Sequence, residues 1–325
     1  MSALNRTPLA AVSFVDPTTS LLNVRVYYQA PDGSISEASY DQKKGWTYQN
    51  PNIVGTGKLN TGVAATSWVD PVKGPQIHVY YLDTNAYIVE RVYLGKPGAW
   101  GPGTLPAGKY QAAAYSGIGA TSYQLASGVQ YSYVYYQDTK NAIQELVLTS
   151  TSGSWGPGTT IPAAIGTPQT GTVLSATTHF EGKTQYRWVY FQDETLALQE
   201  AWFDGGSWQK GGLAAASSNF SFLPITGIST AVWGPSRPFK LQVASVDANN
   251  KLSTTGYLSP SGWSKIVELP VSAIPFSEVD IIWVGNTSEP DALRLYFQSQ
   301  GGAISELSSA DGVNWALTAT NIIVV

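Results

Sequence analysis

Between Arg25 and Trp46 the chain reads RVYYQAPDGSISEASYDQKKGW, and five further copies of this phrase follow it. The heads of the six copies are Arg25, His78, Tyr133, Trp188, Gln242 and Arg294, at intervals of 53, 55, 55, 54 and 52 residues. Twelve residues after each head stand Glu37, Glu90, Glu145, Glu200, Thr254 and Glu306, and beyond them Trp46, Trp100, Trp155, Trp208, Trp263 and Trp315. A period this regular marks a repeat architecture, in which each unit buries its apolar faces against its neighbours.

Each copy carries a short apolar segment before its head, near Phe14, Trp68, Tyr123, Phe180, Trp233 and Trp283. A loop rich in Asp, Pro, Gly, Ser and Thr follows, then the head strand, a tight turn such as Pro31-Asp32-Gly33, and the strand bearing the Glu. A fourth strand is expected to begin at the Trp. Four short antiparallel strands per copy, six times over, predict an all-β fold: a six-bladed β-propeller of four-stranded antiparallel blades, with residues 1–325 forming one domain. The segments before the heads are the expected innermost strands. The C-terminal ATNIIVV has no evident partner in its own copy and is expected to close the ring by pairing with an early strand.

Composition narrows the function. Aromatic and charged residues each make up 12%, which suits a rigid β-scaffold with an aromatic recognition surface. A net charge of -4 without a basic cluster speaks against nucleic acid as a partner. With no cysteine, thiol chemistry and thiolate metal sites are excluded, and the two histidines, His78 and His179, stand apart from any carboxylate cluster at metal spacing, so neither metal nor cofactor is expected. No apolar run reaches the length of a membrane span and no signal peptide is visible, so the expected location is the cytoplasm, or the outside by an unconventional route, without membrane insertion.

Arg25, Tyr27 and Gln29 share one face of their strand, and across the turn Ile35 and Glu37 fall on that same face. A guanidinium beside a carboxylate can engage adjacent hydroxyls, while an aromatic ring covers the apolar C–H face of a sugar. The Glu persists where the head is His, Tyr or Trp and no arginine replaces it, so it has a role beyond pairing with Arg; whether that role is structural stays open, as does the choice between core filling and ligand stacking for the Trp. The tyrosine pairs after the heads, such as Tyr27 and Tyr28, are read as packing.

R-V-Y-Y-Q, I-x-E and G-W in six copies resemble the fungal fucose-specific lectins, across essentially the whole chain. The resemblance implies sugar sites in the seams between blades, with Arg and Glu from one blade and two aromatics from the next, one lying three residues after that blade's Glu and the other at its Trp. Carried over to this chain, Arg25 and Glu37 are completed by Tyr93 and Trp100, and Arg294 and Glu306 by Tyr40 and Trp46 across the ring closure. Three further seams keep the carboxylate without the arginine head: His78 and Glu90 facing Leu148 and Trp155, Tyr133 and Glu145 facing Phe203 and Trp208, and Trp188 and Glu200 facing Tyr257 and Trp263. These are read as weak, altered or empty. The remaining set, Gln242 with Thr254, Ser309 and Trp315, is read as dead.

The function expected is that of a multivalent lectin for terminal L-fucose, without catalysis, whose partners are fucosylated glycans or glycoproteins; a homodimer is compatible with the sequence. The alternatives are a lectin for galactose-like or other glycans, and a propeller glycoside hydrolase. A glycosidase needs one carboxyl pair about 5 to 9.5 Å apart across one bond, whereas here the carboxylates repeat.

Overall fold

Neighbouring residues on a strand face opposite ways, and in Leu22–Gln29 both faces are largely buried. Val24, Val26 and Tyr28 join a cluster with Tyr296 and Ile304 of the last repeat, whereas Tyr27 joins one with Val63, Ile77 and Val79 of the second. A sheet with two such faces is stable only between two others, and six of them satisfy one another by closing a circle. The computed structural model, which describes residues 2–95, 98–125, 127–181, 184–234, 239–285 and 292–323, has this form.

Six antiparallel sheets follow one another along the chain, each with strands in sequence order from the axis outward. Blade 1 consists of Leu9–Val15, Leu22–Gln29, Ser34–Asp41 and Gly45–Thr56. In blade 5 the outer position is shared by two pieces, Gly262–Trp263 and Val267–Ser272, which both pair with Lys251–Leu258. The innermost strands are Leu9–Val15, Val63–Asp70, Ile118–Gln124, Ser175–Glu181, Ile228–Trp233 and Val279–Trp283, each touching the next and the last touching the first. One apolar cluster fills each of the six junctions.

The glutamine that ends V-Y-Y-Q joins the blades. Gln29, Gln137, Gln192 and Gln298 are fully buried, a position an amide tolerates only when its donors and acceptor are met. Gln29 donates to the Lys58 carbonyl at 2.8 Å and accepts from the Asn60 N–H at 2.8 Å, both in the loop that enters blade 2. Gln137 binds Gln169 and Gly171 in the same way, and Gln192 binds Leu223 and Thr226. Gln298 closes the ring with this device, donating to Leu4 at 3.0 Å and accepting from Thr7 at 2.9 Å.

The expected pairing of the C-terminal strand with an early one does not occur. Ala316–Ile323 pairs with Ile304–Ser309 of its own blade, through Ile304↔Ile323 and Leu307↔Leu317. Its contribution to closure is through side chains: Ile322 and Ile323 are buried with Ala3, Leu9 and Val24. A partner a few residues away costs less chain entropy than one across the ring, and the local sheet edge was open. Val324 and Val325 lie outside the described residues.

Candidate functional site at the blade seams

A seam is named here by the blade that supplies its head, so that the first lies between blades 1 and 2 and the sixth between blades 6 and 1. In blade 1 Tyr27 is paired with Glu37, and Arg25 with Ser39, which puts Arg25 diagonally beside the carboxylate on the face toward blade 2. The aromatics expected from the next blade form direct cross-strand pairs: Tyr40 with Trp46, Tyr93 with Trp100, Phe203 with Trp208 and Tyr257 with Trp263; Leu148 pairs with Trp155 in the same register.

The structure gives the constant Glu a partner that the sequence reading had assigned to packing. The tyrosine two residues after the head donates its hydroxyl to the carboxylate: Tyr27 to Glu37 at 2.9 Å, Tyr80 to Glu90 at 3.1 Å, Tyr135 to Glu145 at 2.7 Å, Tyr190 to Glu200 at 3.5 Å and Tyr296 to Glu306 at 2.9 Å. In the fifth copy both members are gone together, replaced by Ala244 and Thr254. Burial, reinforced by the adjacent carboxylate, pushes all five phenols well above their ordinary range, so they remain donors at any working pH.

The other lone pairs of the carboxylate are used locally. Glu90 accepts the Leu105 N–H, Glu145 that of Thr159, and Glu200 those of Gly212 and Leu213. The chain passes so closely that a Cβ at Gly103, Gly158 or Gly211 would lie about 2 Å from the respective carboxylate. The Glu is therefore a structural anchor in every blade that has it, whether or not a ligand also uses it.

The six seams then differ in what faces the anchor. In the sixth, Arg294 Nη1 is 3.1 Å from Glu306 Oε2, and its guanidinium carbon stands 4.3 Å from the centre of the Tyr40 ring. Trp46 packs against Tyr40 at 5.5 Å, and both rings are half-buried. The first seam brings the same four residue types together. Arg25 Nε is 3.6 Å from Glu37 Oε1, and Trp100 sets its edge against Tyr27 at 5.9 Å with Tyr93 beside it. Arg25 also donates to the carbonyl of Tyr40, whose ring meets Arg294, so the two seams share a residue. Each arginine keeps a partly exposed side chain, 19% for Arg25 and 14% for Arg294.

The second seam replaces the guanidinium with His78, whose Nδ1 is 2.7 Å from Glu90 Oε1, and its Trp155 is a buried core residue. Burial alone would raise the Glu90 carboxyl, but His78, the Leu105 N–H and Tyr80 together hold it below its ordinary value. In the fourth seam, burial dominates and Glu200 is raised despite bonds from Trp263, Gly212 and Leu213. There Phe239 of blade 5, absent from the expected set, stands between Trp188 at 5.3 Å and Tyr257 at 6.0 Å. In the fifth seam the head Gln242 donates to the Gly312 carbonyl, in a loop of blade 6, at 3.1 Å.

The third seam corrects the reading that no arginine faces Glu145. Arg187 enters from blade 4, with Nε 3.1 Å from Glu145 Oε2. It precedes a head instead of being one, which is why a search along the head column misses it. The available signal was a charge in a column otherwise filled by Val24, Ile77, Ser132, Leu241 and Leu293. Among the described residues, no group of three or more His, Cys, Asp or Glu could hold a metal ion.

These seams lie on a ring that other proteins share. The sequence profile of the family described as fungal fucose-specific lectin matches residues 3–322. The fucose-specific lectin of Aleuria aurantia is 26% identical over 318 residues, covering 96% of this chain and 94% of that protein. The fucose-specific lectin of Aspergillus oryzae is 30% identical over 314 residues, covering 94% and 92%. A crystal structure of the Aleuria aurantia lectin, described as a six-bladed β-propeller with a novel fucose recognition mode, is similar with a TM-score of 0.82 at 25% identity, covering 98% of this chain and 96% of that one. Repeat, ring and sequence agree, and the chain belongs to the family of fungal fucose-specific lectins.

Proposed function

We propose that this lectin binds terminal L-fucose, without cutting the glycosidic bond, in the first and sixth seams. The observation that carries the reading is the sixth seam, where a partly exposed guanidinium, a carboxylate 3.1 Å away and two half-buried rings meet at one junction between blades. The carboxylate is already fixed by Tyr296 and Thr318, so a sugar hydroxyl meets an oriented acceptor and a fork of donors. The apolar face of the sugar can lie on the aromatic pair. The first seam repeats the residue types with a looser ion pair. Two neighbouring sites on one rigid ring favour surfaces dense in fucosylated glycans, through effective concentration.

Titration calorimetry with methyl α-L-fucoside tests the reading. About two strong sites per chain are expected, with Arg25→Ala and Arg294→Ala each removing about one, since loss of a charge-assisted hydrogen bond of about 1.5–3 kcal/mol weakens binding by roughly 10- to 150-fold. Unchanged binding in the double variant would refute it. Stronger binding of a galactoside than of the fucoside would shift the reading to the other sugar.

A further inference from the structure

The residue before each head points toward the preceding blade, because neighbours on a strand face opposite ways. Val24, Ile77, Ser132, Arg187, Leu241 and Leu293 occupy this position, and all are buried. Only Arg187 is charged, and it is 6% exposed. A buried guanidinium persists only when paired and hydrogen-bonded, and the third seam supplies those partners. Its Nη1 donates to Gln185 Oε1 at 3.1 Å, and that amide oxygen also accepts the Tyr133 hydroxyl at 2.6 Å. Its carbon lies 4.0 Å from the centre of the Phe203 ring, 4.6 Å from that of Tyr133 and 5.6 Å from that of Trp208.

Glu145, Phe203 and Trp208 are the carboxylate and aromatic pair that correspond to Glu306, Tyr40 and Trp46. We propose that Arg187 is a built-in occupant of the third seam. Its charge lies at ion-pair distance from the carboxylate that a ligand would address with hydroxyls, and over the rings where a sugar would lay its C–H face. The residue preceding a head in the next blade thus helps determine whether a seam is open. An aliphatic side chain there, Ile77 in the first seam and Val24 in the sixth, brings no guanidinium from the next blade, and the carboxylate faces the partly exposed arginine of its own blade instead. This inference rests on the reading of the seams as sugar sites, and moving the guanidinium from one blade to the other tests it.

The double substitution Tyr133→Arg/Arg187→Val transfers the guanidinium to the head position beside Glu145. Calorimetry with methyl α-L-fucoside should then count about three strong sites in place of about two, and about one when the same pair is placed in the Arg25→Ala/Arg294→Ala background. A variant with wild-type near-ultraviolet circular dichroism that gains no site overturns the inference. Failure of the two-seam reading appears separately, as binding that survives Arg25→Ala/Arg294→Ala alone. The wild-type protein supplies a second measurement that needs neither mutation nor sugar affinity. Phenylglyoxal followed by peptide mass mapping should label exposed Arg6 and leave Arg187 unmodified, with or without methyl α-L-fucoside. Labelling of Arg187 as fast as Arg6, or its protection by the sugar, contradicts the proposal.

Discussion

The tyrosine that holds the carboxylate can be removed one hydroxyl at a time, and the five pairs have different geometries. Tyr296→Phe deletes a donor 2.9 Å from Glu306 Oε2 in a site where the tyrosine is fully buried. A hydrogen bond to a charged group contributes about 1.5–3 kcal/mol, so Tyr296→Phe and Tyr27→Phe should each cost about that much. Tyr190→Phe should cost about half as much or less, because its hydroxyl is 3.5 Å from Glu200, which also accepts Trp263 Nε1 at 3.0 Å and the Gly212 N–H at 2.8 Å. Urea unfolding of the three single variants, followed by intrinsic fluorescence, reads the differences. A cycle of Tyr296→Phe with Glu306→Gln should show the two changes to be strongly non-additive. If Tyr296→Phe stays within about 0.5 kcal/mol of wild type, or if Tyr190→Phe costs as much as Tyr296→Phe, the carboxylate is not held as described.

Further outcomes can be checked with the same material. Glu278 and Asp280 face the narrow end of the central tunnel and accept backbone N–H groups of Leu9 and Ala11 in blade 1; burial pushes each up to about 7. Because these folded values lie above the ordinary carboxylate range, the fold favours the protonated groups. Their contribution is complete below about pH 4 and is lost as pH rises through about 7, so urea midpoints should fall between pH 5 and 8, by up to about 3 kcal/mol for Glu278, and Glu278→Gln should flatten that slope. Gly211→Ala should destabilise by about 1–3 kcal/mol or more, because its Cβ would overlap the Glu200 carboxylate, whereas Gly101→Ala meets nothing and should be close to neutral. Gln298→Ala leaves Thr7 N–H and the Leu4 carbonyl without their side-chain partner and should speed amide exchange at Thr7, the point of ring closure.

The blade count and the order of strands were legible because alternation of period two and a constant interval are written directly in the residues. The first and sixth seams were legible through the family resemblance, which coupled one repeat to the next. What was missed lies across interfaces that the repeat does not encode. Arg187 acts on the blade before its own, and Phe239 fills a space set by Trp188 and Tyr257 from two different blades. The Tyr–Glu pair was available in principle, since Ala244 and Thr254 change together, but a tyrosine among buried tyrosines carries no outward mark of its hydroxyl's partner. The C-terminal strand misled because pairing within a copy is indistinguishable by composition from pairing across the ring.

Which seams hold sugar is read most directly by a crystal structure of the wild-type lectin with methyl α-L-fucoside, without kinetics or stoichiometric fitting. Density for the sugar against Arg25, Glu37, Tyr93 and Trp100, and against Arg294, Glu306, Tyr40 and Trp46, with Arg187 unmoved in the third seam, is the predicted result. Sugar in the seams of His78, Tyr133 or Trp188 while the two arginine seams stay empty would contradict it.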